Sequence, residues 1–136
     1  MLDPHFRQKE SLITLDLSSN EIGAEGAIAI SKNTTWQNLA KLDLEFSELS
    51  DEGASELSKN TTWTNLTTLK LSSNEIGSHG AAGLSNNITW PNLTTLISQN
   101  KLGDEGARGY SKNTTWKNLT TLNLSFNEIG AGENAQ

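Results

Sequence analysis

Residues 66–77 read LTTLKLSSNEIG, and this stretch decides the fold. Leu66, Leu69 and Leu71 follow the spacing L-x-x-L-x-L. The alternation at the end of that spacing reads as a short strand with its leucines inward. Asn74 marks a turn, and Ile76 and Gly77 follow it. The same text returns along the chain as LITLDLSSNEIG from Leu12, LAKLDLEFSELS from Leu39, LTTLISQNKLG from Leu93 and LTTLNLSFNEIG from Leu119. After each turn comes a small-residue segment such as GAEGAIAISKN, where Ala27 and Ile30 suit a short helix. Asp51, Ser78 and Asp104 are expected as helix N-caps or first-turn residues. Asn33 is expected to end its helix in a left-handed conformation. Each unit is therefore strand, turn, helix, turn.

Between the units lie NTTWQNL at 33–39, NTTWTNL at 60–66, NITWPNL at 87–93 and NTTWKNL at 113–119. Trp36, Trp63, Trp90 and Trp116 are 27, 27 and 26 residues apart. A fixed period in this range signals a tandem array. Because the tryptophans share the period of the leucines, they read as a buried spine between helix and strand. Exposed tryptophans would instead offer a stacking platform for bases or sugars.

The pattern L-x-x-L-x-L-x-x-N-x-L/I-G-x-x-G-A, carried from about Ser11 to Gly130, resembles a leucine-rich repeat. The 26–27-residue length and the G-x-E-G-A helix start are similar to the ribonuclease-inhibitor-like subclass, and the NTT and NLTTL tracts are similar to repeat proteins of intracellular bacteria. The resemblance implies an α/β solenoid: a horseshoe arc with a parallel sheet on the concave side and short helices on the convex side. It also implies protein recognition, with diverse targets. Stacking agrees with the residues, since one unit cannot bury its leucines alone. The third unit is expected to bury Leu66, Leu69, Leu71, Ile76 and Leu84, with Ala81 in the tight space. The expected organisation is an N-terminal cap at 1–10, five strands and four helices at 11–130, and a truncated tail at 131–136.

Asn20, Asn74, Asn100 and Asn127 would form an asparagine ladder, because an amide both donates and accepts in a buried turn. The second unit has Ser47 there, so its rung is expected to be looser. The fourth unit, Leu96-Ile97-Ser98-Gln99-Asn100, is one residue short, which predicts an irregularity in its strand. The spacing leaves open whether Ile97 points in or out.

Function is expected on the residues between the leucines, which the core leaves free. The second strand is read as departing furthest from the other units, and it carries Asp43, Glu45, Phe46 and Glu48. The candidate protein-binding set is Asp16, Lys41, Asp43, Glu45, Phe46, Lys70, Asn123 and Phe126. An exposed aromatic beside acids suits a basic protein partner. The alternatives are a recognition segment of a larger effector, ligase or sensor, and a structural array with no dedicated partner. The truncated end predicts a concentration-dependent dimer through an uncapped edge.

Composition excludes other classes. The 136 residues hold Lys+Arg 10 and Asp+Glu 16, for a net charge of -6, which argues against nucleic acid. Cys is 0, so thiol chemistry and disulfides are excluded. Mean hydropathy is -0.50, and no apolar run approaches a membrane span. No phosphate-binding loop or Ser-His-Asp arrangement is legible, so neither catalysis nor a cofactor is expected, and no metal site is expected. His79 reads as a solvated or weakly capping residue at a helix start. The N-x-S/T sequences at Asn33, Asn60, Asn65, Asn87, Asn92, Asn113, Asn118 and Asn123 read as repeat copying. Residues 1–10 carry charges and no apolar core, which favours a cytoplasmic location, or secretion without a signal peptide, over a disulfide-forming route. The hydrophobic fraction of 34% then measures a thin core rather than disorder.

Overall fold

The structure, a computed structural model, describes residues 11–130. The expected cap at 1–10 and tail at 131–136 lie outside the described residues. Five strands alternate with four helices: β1 (Thr14–Asp16), α1 (Gly23–Ser31), β2 (Lys41–Asp43), α2 (Ser50–Leu57), β3 (Thr68–Lys70), α3 (Ser78–Ser85), β4 (Thr95–Ile97), α4 (Gly103–Ser111) and β5 (Thr121–Asn123). All neighbouring strands pair in parallel, in the order β1-β2-β3-β4-β5. Each helix packs on the next, as each strand does. Strands repeat every ~4.8 Å, whereas packed helices need ~8–10 Å, so the sheet takes the inside of the curve.

The core follows the repeat. Leu66, Leu71, Ile76, Ala81 and Leu84 are fully buried and Leu69 nearly so, as the spacing predicts. Trp63 and Trp90 are fully buried, Trp116 is buried, and Trp36 is half-buried and stacks on Trp63 with ring centroids 6.4 Å apart. The tryptophans are thus spine, not platform. Helices approach closely because small residues face each other. A Cβ on Gly80 would lie 2.6 Å from Asp51 Oδ1, and one on Gly83 would lie 2.7 Å from Ser55 Cβ.

Buried turns are closed by side-chain amides from the adjoining unit. Asn74 Oδ1 accepts from the Ser47 and Leu49 N–H groups at 2.9 and 3.3 Å, while its Nδ2 donates to the Leu44 and Leu71 carbonyls at 2.7 and 2.9 Å. Asn100 accepts from Asn74 and Ile76, and Asn127 from Asn100 and Leu102. Ser47 is buried but only donates, to Leu17 O at 3.3 Å and Glu45 O at 3.2 Å. These long bonds fit the weaker rung expected there. Asn20 is exposed, and among the described residues its side chain bonds within its own unit, to Leu17 and Ser18 carbonyls.

A second ladder runs where each helix leads into the next strand. Asn60 Oδ1 accepts from Thr62 and Trp63 N–H, and its Nδ2 donates to Ser31 and Asn33 carbonyls one unit back. Asn87 and Asn113 repeat the arrangement. Asn33 has no positive φ. It closes its turn with its side chain, accepting from Thr35 and Trp36, rather than by a left-handed backbone. A third row is exposed, with Asn65, Asn92 and Asn118 donating to Gln37, Thr64 and Pro91 carbonyls. These repeated asparagines therefore have structural work, which explains why their sequence is copied.

Of the two roles expected at the helix starts, Asp51, Ser78 and Asp104 take the first-turn one and not the N-cap. Asp51 and Asp104 lie in the first turns of α2 and α4 but bond no N–H of their own helix. Asp51 Oδ1 instead accepts from Gly77 and Gly80 N–H at 2.6 and 3.0 Å, so it caps the following helix α3. Asp104 reaches Gly130 N–H in the same way. Ser78 opens α3 without a side-chain cap bond.

The fourth unit resolves differently from the predicted strand irregularity. β4 keeps its three residues and its register on both sides, with Leu69↔Leu96↔Leu122 and Lys70↔Ile97↔Asn123. Ile97 therefore points outward. The missing residue comes out of the turn, where Ser19, Phe46, Ser73 and Phe126 have φ between 54° and 59° and Gln99 has no positive φ. Ser98 then stands at the inward position of Leu44 and Leu71, fully buried. The lost volume is filled from the helix, where Tyr110 occupies the place of Leu57 and Leu84. Its hydroxyl lies 3.1 Å from Ser98 Oγ, and its ring packs on Trp116 at 6.0 Å.

Burial pushes the Tyr110 hydroxyl up to about 12, against the partial opposing pull of the Ser98 hydrogen bond. The folded state therefore holds the proton more tightly than the unfolded chain. That stability is fully present below pH 10 and is lost as pH rises from about 10 to about 12, at ~1.4 kcal/mol per pH unit. Tyr is 1 in the chain, so alkaline absorbance titration reads this residue alone. The phenolate is expected to appear near pH 12 and together with unfolding; a reversible titration near pH 10 with the fold intact would contradict the burial.

Candidate functional site

Strand alternation places two rows of side chains on the open face of the sheet. One row reads Thr14, Lys41, Thr68, Thr95, Thr121, and the other Asp16, Asp43, Lys70, Ile97, Asn123. The leucines between them, Leu15, Leu42, Leu69, Leu96 and Leu122, turn to the core. Leu42, Leu69 and Leu96 are each 1% exposed, whereas Leu122 on the last strand is 42% exposed. Thr67, Thr94 and Thr120 brace the strand entries by donating to carbonyls of the preceding unit, Ala40, Thr67 and Thr94.

Four of the eight predicted residues come together. Asp16, Lys41, Asp43 and Lys70, with Thr14 and Thr68, line a shallow depression of about 210 Å³ across β1, β2 and β3. Glu45 follows just past the end of β2 and is half-buried. Asn123 lies in the same row on β5, two strands away from Lys70. Phe46 and Phe126 are not on the strand face. They are the left-handed turn residues of their units, φ 54° and 59°, and stand 62% and 87% exposed along one rim. Phe126 walls a second, more open groove of about 480 Å³ with Ser73, Glu75, Gln99, Asn100 and Lys101. Glu48, Glu75 and Glu128 sit in the same rim turns.

The depression is mixed in charge rather than acidic, because two lysines share it with two aspartates. Among the described residues the ion pair within 4 Å is Lys59–Glu56, on the helix side, at 2.8 Å. The sheet-face charges thus have no such partner. Asp16 is held below the usual carboxylate range by the Ser18 hydroxyl, then by the Ser18 N–H, with a smaller pull from Lys70. The carboxylates also shape the backbone. Asp16 Oδ1 accepts from Ser18 N–H at 2.9 Å, Asp43 Oδ1 from Glu45 N–H at 3.0 Å, and Asn123 Oδ1 from Ser125 N–H at 3.0 Å. Each closes an Asx turn at the strand end. That role is not visible in the spacing of the leucines; the signal for it is an Asp or Asn two residues before the turn in three units.

On the other side, acids Glu25, Glu52 and Glu105 sit at helix starts and Lys32, Lys59 and Lys112 just past helix ends, which suits the helix dipoles. His79 is exposed in the first turn of α3, in a shallow groove with Glu105, Arg108 and Lys112. Among the described residues, no three His, Cys, Asp or Glu side chains gather as a metal-binding group, and no helix is long and apolar enough to cross a membrane.

A parallel sheet backed by one layer of helices, built from 26–27-residue units, defines a repeat solenoid of the α/β class. The chain matches the family model described as Leucine Rich repeat over residues 8–31, 37–58, 64–85 and 117–132, more than half of its length. It belongs to the leucine-rich repeat family. The shortened turn at Ser98–Asn100 falls outside those matches. No curated protein matches the chain. Leucine-rich repeats generally mediate protein–protein interaction and are typically non-enzymatic.

The Asx turns make a clean test. Asp43→Ala removes the acceptor for Glu45 N–H and is expected to lower stability by about 1 kcal/mol. Asp43→Asn keeps the acceptor, as Asn123 does in β5, and is expected to stay within about 0.5 kcal/mol of the parent in urea unfolding. Equal losses in the two variants would show that charge, not the turn bond, is what Asp43 contributes.

Proposed function

We propose that this chain is a non-enzymatic interaction module that binds a protein partner through the concave sheet face and its aromatic rim. One observation carries the reading: the inward strand position is leucine in all five units, whereas the outward row beside it reads Asp, Asp, Lys, Ile, Asn. The core demands sameness at one position and demands nothing of that kind at the next, so the varied row is where a partner is recognised. Phe46, at 62% exposure beside Glu45 and Glu48, supplies an aromatic anchor, and the surrounding acids favour a basic surface on the partner. The unit length and the G-x-E-G-A helix starts support placement in the ribonuclease-inhibitor-like subclass, and the NTT and NLTTL tracts support a likeness to repeat proteins of intracellular bacteria. The repeats occupy 11–130, and the array serves equally as the recognition segment of a larger effector, ligase or sensor.

A second association is supported by the sheet edge. Leu122 and Ile129 are 42% and 47% exposed on the last unit, so two copies are proposed to meet there at high concentration. Sedimentation is expected to show a weight-average mass that rises with concentration; a clean monomer throughout removes this contact.

For the main reading, the double variant Glu45→Lys, Phe46→Ala is expected to weaken an identified partner by about tenfold or more, with its unfolding midpoint nearly unchanged. Parent-like affinity in the double variant would remove the patch from the interface.

A further inference from the structure

We propose that the concave face is built to receive an α-helix lying across the strands, with basic residues over Asp16 and Asp43, an acidic residue over Lys70 and an apolar residue over Ile97. This rests on the concave-face reading and specifies its partner. The row Asp16–Asp43–Lys70–Ile97–Asn123 advances one residue per strand in unbroken register. Neighbouring strands are ~4.8 Å apart. A helix advances ~5.4 Å per turn, so successive turns keep step with successive strands to within ~0.6 Å. An extended peptide advances ~6.8 Å between side chains on one face and falls out of step by ~2 Å per strand. The strands themselves are only three residues, ~10 Å, long, which matches the ~10–12 Å width of a helix laid across them.

Charge gives the register. Asp16 and Asp43 sit side by side on paired strands, and like charges so placed repel. Each commits Oδ1 to its own turn, and neither has an ion-pair partner within 4 Å among the described residues. Two carboxylates at strand spacing suit one guanidinium fork, or two cations on adjacent turns. Lys70, next in the row, then asks for an acid. Lys41, in the neighbouring row of the same depression, asks for another on the flank of the helix. Ile97, facing outward where the other units carry Asp, Lys or Asn, supplies the apolar contact that closes the pattern.

The probe is a blocked alanine-based helical peptide of about 20 residues with Arg at i and i+4, Glu at i+7 and Leu at i+11, made also in reversed order. Binding is followed by isothermal calorimetry and by amide chemical shifts of the whole chain. One polarity is expected to bind, with shifts confined to β1, β2, β3 and β4. The variant Asp16→Asn, Asp43→Asn keeps both turn acceptors, as Asn123 shows, and is expected to bind about tenfold or more weakly. Three outcomes overturn the proposal while leaving the concave-face reading in place: no binding in either polarity, equal binding by the double variant, or equal binding by a proline-interrupted peptide carrying the same side chains. Shifts confined to α1, α2, α3 and α4 would overturn both.

Discussion

The interaction on which the rest depends is the amide of one unit closing the backbone of the one beside it. A solenoid turns its chain inward twice per unit, and each inward turn buries N–H and C=O groups that no ladder can pair. Asn74, Asn100 and Asn127 serve the turn after the strand, and Asn60, Asn87 and Asn113 serve the turn before it. Each accepts from backbone N–H groups at its oxygen and donates to carbonyls from its nitrogen, and several of these partners lie in the neighbouring unit. An aspartate there could accept but not donate; a serine such as Ser47 donates but leaves the acceptor role unfilled. Leucine burial drives the stack together, and the amides make it possible for the turns to follow the leucines inside.

The same logic explains why the fourth unit survives two departures from the pattern. A residue lost inside β4 would have flipped every later side chain to the wrong face. Removed from the turn, it takes away one left-handed residue and leaves the strand register alone. What remains is a serine at a core position, and a helix leucine exchanged for Tyr110. Separately, each exchange is costly: Ser98 leaves a void and a buried hydroxyl, and Tyr110 brings an oversized ring and a second hydroxyl. Together, the ring fills the void and the hydroxyls satisfy each other.

This division decides how much was legible beforehand. Burial follows from a period, and the period is written in the leucines and tryptophans, so the fold, the core of the third unit and the face of the sheet were readable. Partnership is not periodic in the same way. Asp51 sits in a first turn by its position, yet its oxygen caps the helix one unit on, because the small residues at Gly77 and Gly80 bring that helix within reach. Phe46 reads as a face residue because it stands among the non-leucine positions, although alternation from Lys41 and Asp43 would turn it to the core; the backbone turns left-handed there and swings it to the rim. Asp16, Lys41, Asp43 and Lys70 were found because strand alternation still holds there; Phe46 and Phe126 were found as exposed and misplaced by one turn.

Asp16 and Asp43 show how such a surface can change without unsettling the fold. The turn they close needs one oxygen acceptor two residues before the next N–H, and Asn123 meets the need without a charge. The backbone therefore fixes a carbonyl-type oxygen at that place and is indifferent to what the other end of the group carries. A unit can move between carboxylate and amide there, altering the field over the sheet by one charge at a time, while every bond inside the stack stays as it was. Lys70 and Ile97 give up that turn bond altogether, and β3 and β4 keep their register, since the asparagine ladder behind them holds the turn from the inner side. The thin core thus leaves a row of side chains whose charge is free of folding constraints even where an oxygen acceptor is required, and the charge sequence along that row is the property a partner can read.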